Sequence, residues 1–104
     1  MYSHAENDIA RSRTDIVVEL EAAANTINDV MPIDRRKLIE EGIAGVASER
    51  TLLILKGNVL PMEPGFMSDM PTLAEMAGLD DALELIVSAG MMMLAGEIAR
   101  LRNL

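Results

Sequence analysis

The chain has 104 residues, of which half are hydrophobic and only Tyr2 and Phe66 are aromatic, and it carries a net charge of −8. The absence of cysteine excludes a disulfide framework, a zinc finger and a thiol nucleophile. The acidic balance argues against binding to a phosphate backbone, because that affinity comes from lysine and arginine. No apolar run is long enough for a membrane span, and the N-terminal segment lacks the apolar core that a secretory signal needs. We therefore expect one cytoplasmic domain over residues 1–104, with a flexible tail over 1–6.

The first predicted element is a helix over residues 7–31. Ile9, Ile16, Ala23 and Val30 recur every seven residues, which is typical of a helical stripe. Pro32 is expected to end the helix, because the residue before a proline is pushed out of the helical region.

Three carboxylates form a predicted acidic stripe on one flank of this helix: Asp8, Asp15 and Glu19. Asp15 and Glu19 are four residues apart, a spacing at which like charges repel by about 0.3 kcal/mol. A basic neighbour would relieve that repulsion.

A second helix is predicted from the N-cap Asp34 to a left-handed cap at Gly57 or Asn58. Arg35, Arg36 and Lys37 then occupy the first turn, where the helix dipole favours negative charge. The end of this element is ambiguous, because residues 51–60 also have the composition of a short hairpin, although we favour the helix.

Arg50 lies close to the centre of the apolar face of the second helix. An arginine in this position either extends its charged head to the edge or pairs with a carboxylate, because an unpaired buried charge is costly. We favour the first arrangement. The candidate partners for the second are Asp15, Glu19, Glu97 or a residue of a second subunit.

Prolines and glycine mark residues 58–70 as an irregular crossover. A short helix is predicted from Pro71 to Ala77, capped by Ser68 or Asp69 and closed by Gly78. Asp80 is the expected N-cap of the long final helix, and Arg100 and Arg102 suit the dipole in its last turns.

The final helix has no charged residue from Leu85 to Gly96. A segment that is apolar all round must be covered on all sides, and two neighbouring helices are too few for that. The sequence therefore predicts an all-α bundle of three long helices and one short helix, with the final helix in the groove of the first two, completed by homodimerisation. Small residues predict the tightest helix crossing, at Ala89, Gly90, Ala95 and Gly96.

The nine methionines are concentrated in the crossover and the final helix. Thioether clusters bind Cu(I), but no cysteine assists here and the single histidine, His4, lies in the tail. Methionine otherwise fills gaps or forms adaptable binding surfaces. Consecutive methionines point in different directions, so we predict an interaction surface formed by Met62, Phe66, Met67, Met70, Met91, Met92 and Met93.

The segment TLAEMAGLDDALELI, Thr72 to Ile86, resembles a DNA-reading helix-turn-helix, with Ala74 in the first helix and Gly78 in the turn. The resemblance covers about a seventh of the chain. It departs from the motif because the would-be recognition helix opens with Asp80, Asp81 and Glu84, which phosphates repel.

No chemistry-bearing pattern points to an enzyme, a metal site or a cofactor. The sequence lacks the phosphate-binding glycine motifs, a Glu-x-x-His repeat and a histidine base near a serine. We therefore expect a non-enzymatic helical interaction or regulatory protein that binds itself and an unidentified partner protein, without nucleic acid or membrane. The alternatives are an acidic inhibitor that mimics nucleic acid and a DNA-binding regulator that uses Arg35, Arg36 and Lys37.

Overall fold

The computed structural model describes residues 15–79 and 82–104, and this part of the chain is helical without strands. The predictions for residues 1–14, Asp8 among them, lie outside the described residues. Four α-helices follow in order: α1 (Ile16–Asn25), α2 (Pro32–Leu55), α3 (Met70–Ala77) and α4 (Glu84–Arg102). Two short 3-10 helices, Ile27–Asp29 and Gly65–Asp69, precede α2 and α3. The predicted all-α class is confirmed.

The end of α1 differs from the prediction. The helix stops at Asn25 instead of Met31, and a 3-10 turn follows. The Thr26 hydroxyl donates to the Ala22 carbonyl at 2.8 Å, and the backbone of Thr26 leaves the helical region with φ −125°. The hydroxyl thus satisfies a carbonyl of the last turn, but this bond does not by itself end a helix, because Thr51 makes the same bond to the Ala47 carbonyl inside α2.

The start of α2 also corrects the prediction, because Pro32 is its first residue and Met31, not Asp34, is its N-cap. Proline is favoured there since its missing N–H would have no intrahelical partner. Asp34 instead lies in the first turn, where its negative charge suits the dipole.

The end of α2 confirms the predicted left-handed cap and decides residues 51–55 in favour of helix. Gly57 has φ +79°, and its N–H donates to the Ile54 carbonyl at 2.9 Å. The Asn58 N–H donates to the Leu53 carbonyl at the same distance. These two bonds form a Schellman motif, which requires a residue that tolerates positive φ.

The crossover is irregular only to Pro64, because residues 65–69 form the second 3-10 helix. Asp69, one of the two predicted residues, is the N-cap of α3, and Gly78 closes this helix as predicted, but the predicted N-cap of α4 is wrong. Ser68 donates its hydroxyl to the Gly65 carbonyl, and Asp69 makes no side-chain cap bond. The N-cap of α4 is Leu83, and Glu84 supplies the acid of the first turn. Asp80 and Asp81 lie outside the described residues.

The core lies where α4 packs against α1 and α2, as predicted, and α3 packs on α2 and α4. Leucine side chains from other helices pack directly on two glycines: an added Cβ at Gly90 would collide with the end of the Leu73 side chain of α3, and one at Gly42 would lie 3.0 Å from Leu94 Cδ1. Gly96 was expected in the same crossing, but an added Cβ there would have no neighbouring atom within 4 Å. The largest fully buried side chains are Leu20, Ile39, Val46, Val87, Met91, Leu94, Ile98 and Leu101.

The molecule is thin in one direction. Its smallest extent, measured between Cα atoms, is 19 Å, which is about the thickness of two packed helices. A helix in a slab of this thickness is covered on one side and open on the other. None of the helices in the described part combines the length and apolarity that crossing a bilayer would require.

Candidate interaction site

One side of α4 is both apolar and open. We call it the outward face of α4 and define it by Leu85, Ile86, Ala89, Met92, Met93 and Gly96, all of which are exposed. Met91, on the opposite side, is completely buried, whereas Met92 and Met93 retain 43% and 42% exposure and Leu85 retains 82%. The helix is therefore apolar around its circumference, but the described chain covers only part of it.

A groove of about 490 Å³ adjoins this face, between α3 and α4. Leu73 and Met70 form its floor, since both approach Gly90 from α3. Asp69 is the only charged residue that the described chain contributes to its lining. The lining consists of Phe66, Asp69, Met70, Thr72, Leu73, Met76, Ile86, Ala89, Gly90 and Met93.

The predicted methionine surface divides into exposed and buried members. Met62 is 91% exposed in the crossover, and Met92 and Met93 lie on the outward face. Met67 and Met91 lie in the core instead, and Met70 is also buried, although it lines the groove. Phe66 is half-buried and lines the same groove. The consecutive methionines 91–93 thus do point to different surroundings.

Arg50 connects α2 to the crossover by contacting Pro61 and Glu63, neither of which was among its predicted partners. Its Nη2 donates to the Pro61 carbonyl at 3.0 Å, and its Nε lies 4.0 Å from the Glu63 carboxylate. Asp15 and Glu97 are engaged by other arginines. The prediction missed Glu63 because the path of an irregular loop cannot be derived from helical spacing.

The acidic stripe is partly used inside the protein. Arg102 Nη1 lies 2.7 Å from Asp15 Oδ1, and its Nε lies 2.9 Å from Glu49. The hydrogen bond from Arg102, together with that from the Val17 N–H, lowers the pKa of Asp15. Hydrogen bonds to Glu49 and Asp15 raise the pKa of Arg102. Arg102 is thus a basic neighbour of the kind expected beside this stripe; Glu19 is half-buried.

Arg35 is a buried structural residue that the sequence did not reveal. Its Nε donates to the Val30 carbonyl and its Nη2 to the Ile27 carbonyl, both at 2.8 Å, while Glu84 lies 3.2 Å away. It therefore holds the 3-10 turn against the starts of α2 and α4. Arg36 pairs with Glu40 on the surface.

Glu97 is a second buried charge, and Arg100 neutralises it from one turn away. The two nitrogens Nε and Nη2 of Arg100 donate to the carboxylate at 2.8 and 2.6 Å. This bidentate bond raises the pKa of Arg100. The i,i+3 spacing in the sequence was the available signal for this pair.

The segment that resembles a helix-turn-helix has a different geometry. Residues 78–83 separate α3 from α4, whereas the DNA-reading motif uses a turn of about 3–4 residues. In addition, α4 buries Val87, Gly90 and Leu94 in the core.

Neither a metal cluster nor a relative identifies the chain. Within residues 15–79 and 82–104, no group of three or more His, Cys, Asp or Glu side chains is placed to hold a metal ion. Comparison with protein-family models, curated proteins and solved structures finds no match to this chain. The class that the described residues define is therefore a small all-α domain with an apolar outward face and an adjoining groove.

Proposed function

We propose that this chain is a non-enzymatic helical interaction protein and that it pairs with a second copy through the outward face of α4. The proposal rests on one observation: α4 has no charged residue from Leu85 to Gly96, and its outward face is exposed in the single chain. Contiguous exposed apolar patches on soluble domains mark interaction sites. A two-fold interface brings the same patch together from both copies. We place this dimer in the cytoplasm, where a chain without cysteine loses nothing to the reducing conditions.

The spacing on α4 favours an antiparallel pair centred between Met92 and Met93. In that register Ala89 of one copy lies opposite Gly96 of the other, so small residues meet on both sides of the centre. Leu85 then lies opposite Arg100, near the other end of the partner helix. Small residues permit close approach of the helices, and the opposed helix dipoles favour an antiparallel orientation.

The proposed pairing also gives Gly96 a role. Glycine in a helix interior costs up to about 1 kcal/mol relative to alanine, and nothing within the protomer approaches this position. The proposed opposite helix supplies that close neighbour.

The free energy that dimerisation would gain from burying apolar surface is moderate. Covering the exposed fractions of Leu85, Ile86, Met92 and Met93 is worth about 3–6 kcal/mol per protomer, or about 6–12 kcal/mol for the pair. Association costs about 4–15 kcal/mol in lost translational and rotational freedom. We therefore expect a dimer that forms in a concentration-dependent manner.

The test is the molar mass in solution, measured by light scattering over a range of concentrations. The unaltered chain should rise from 11.3 kDa towards twice that value. Met92→Glu should hold it at the monomer mass, because a carboxylate at the centre of the interface would be buried without a partner.

Val18→Glu is the matched control for that test, since Val18 is an exposed apolar residue on α1. This variant should dimerise like the unaltered chain. A monomer at all concentrations, or equal loss of dimer in both variants, would refute the pairing through α4.

The two alternative functions have less support. Asp15 of the acidic stripe is held by Arg102, and Arg35 of the basic triplet is buried. Neither residue is free to contact a basic groove or a phosphate backbone in this conformation. We therefore propose only the protein-interaction role.

A further inference from the structure

We propose that the groove between α3 and α4 binds an amphipathic helix of a partner protein that carries lysine or arginine beside its apolar stripe. This site deepens the proposed interaction role and rests on it. It adds α3, which takes no part in the pairing of two α4 helices, but it shares Ile86, Ala89 and Met93 with the outward face. A partner helix in the groove therefore competes with the second copy for these side chains. The occupant is defined by the length, the lining and the charge of the groove.

The length of the groove matches two turns of a docked helix. On α4 the lining runs from Ile86 to Met93, and the seven steps between these residues rise about 10 Å along the helix axis. Helices that dock in apolar grooves insert side chains at positions i, i+3 or i+4, and i+7, which cover the same distance. The volume of about 490 Å³ lies in the usual range of binding pockets, about 300–1,000 Å³.

The groove is lined by apolar side chains that can adjust to the shape of a bound helix. Met76 and Met93 stand half-exposed on its two sides, and Phe66 lies towards the start of α3. Unbranched methionine side chains repack around different anchors. The floor is closed, because Leu73 fills the space above Gly90.

The charge around the groove selects the flank of the partner helix. Asp69 lines the groove, its side chain makes no cap bond to α3, and it is exposed. Glu75, also exposed, lies on α3. The described lining contains no lysine or arginine, and the whole chain has a net charge of −8. A basic flank is therefore attracted to this site and an acidic flank is repelled.

Two model peptides of about 15 residues, a length at which a designed helix begins to persist in water, provide the probe. Both carry leucine at i, i+3, i+4 and i+7, and they differ only in flanks of lysine or of glutamate. Fluorescence anisotropy at about 0.01 M salt should show tighter binding of the lysine peptide. The difference should shrink at about 1 M salt, where charges are screened over about 3 Å.

Three variants locate the binding. Asp69→Asn should weaken binding of the lysine peptide by about two- to fivefold, the effect of an exposed ion pair. Glu21→Gln removes the same unit of charge from α1 and should leave the affinity unchanged. Met76→Lys should reduce it more than tenfold, and because Met76 is half-exposed the fold should survive, which far-ultraviolet circular dichroism checks.

The outcomes separate this site from the α4 dimer. Met92→Glu should abolish dimerisation and bind the lysine peptide at least as tightly as the unaltered chain, since Met92 does not line the groove and no second copy then competes for it. Met76→Lys should leave dimerisation unchanged and weaken peptide binding. Equal affinity for both peptides, or equal effects of Asp69→Asn and Glu21→Gln, would overturn the charge-selective site. Binding of the dye ANS without binding of either peptide would also overturn it, in favour of a small-molecule pocket.

Discussion

Arg35 shows how one side chain organises a junction between three elements. It is 7% exposed, and it satisfies the Ile27 and Val30 carbonyls while it contacts Glu84. An arginine does this because its planar guanidinium presents several donors in a fixed arrangement. In the sequence, the positive charge of Arg35 looks unfavourable at the start of a helix. In the structure, this side chain joins α2 to the preceding turn and to α4.

Replacing Arg35 by methionine should lower the free energy of unfolding by about 2–4 kcal/mol, because two carbonyls lose their donor. Arg36→Met, the neighbouring control, should cost less than about 1 kcal/mol, since its pair with Glu40 is exposed. Urea unfolding followed by circular dichroism measures both values. Equal costs would mean that the Arg35 bonds contribute nothing beyond a surface pair.

Asp15 should make stability depend on pH. Its pKa is lowered in the folded chain, so its stabilising contribution is present above the ordinary aspartate pKa of about 3.9 and is lost as the pH falls through the lowered value. Asp15→Asn keeps the N-cap and removes the charge. The unaltered chain should be more stable at neutral pH, by less than about 1 kcal/mol.

The measurement for Asp15 is urea unfolding of both proteins from neutral pH down to about pH 2, well below the ordinary aspartate pKa. The stability gap should close as the carboxylate takes up its proton. A gap that persists at the lowest pH would assign the effect to shape and not to the charge of the Arg102 pair.

At the scale of the elements, the sequence predicted helical class, the end of α2 and the position of α3 to within one residue, because these follow from local signals. Gly57 and the apolar periods are such signals. The early end of α1 and the partner of Arg50 were missed. Thr26 carries no distinct stop signal, since Thr51 makes the same hydroxyl bond inside α2. The Pro61 carbonyl reaches Arg50 only through the path of the crossover.

The candidate site was predictable in part, for a related reason. The uncharged run of α4 and its outward methionines are visible in the sequence. The groove depends instead on how α3 sits across Gly90, and Met67 and Met70 are buried by that packing. Spacing along one helix indicates which residues share a face, but not which second helix covers that face.

Two glycines of α4 should respond differently to alanine. Gly96→Ala gains helix propensity without a clash, whereas Gly90→Ala must displace Leu73. In the Met92→Glu background, where association does not contribute, Gly96→Ala should exceed Gly90→Ala in unfolding free energy by about 1–3 kcal/mol. Denaturant unfolding provides the comparison. Equal values would show that α3 yields to a methyl group at Gly90 at no cost.

At the scale of the whole molecule, the thin shape and the exposed side of α4 have one cause. A slab with a smallest extent of 19 Å has too few layers to enclose a helix that is apolar all round. The outward face is therefore the surface at which burial of apolar area remains to be gained. We propose that a second copy supplies that cover, with its α4 running in the opposite direction.

Disulfide trapping with single cysteines tests this arrangement most directly, because the natural chain has no cysteine. Met92→Cys lies next to the proposed two-fold axis, whereas Leu85→Cys lies about 22 Å from its equivalent in an antiparallel pair, beyond the 4.4–6.8 Å, roughly, between the Cα atoms of a disulfide. In a glutathione buffer, Met92→Cys should form a covalent dimer and Leu85→Cys should remain monomeric. Equal trapping of both variants, or of neither, would contradict the antiparallel dimer.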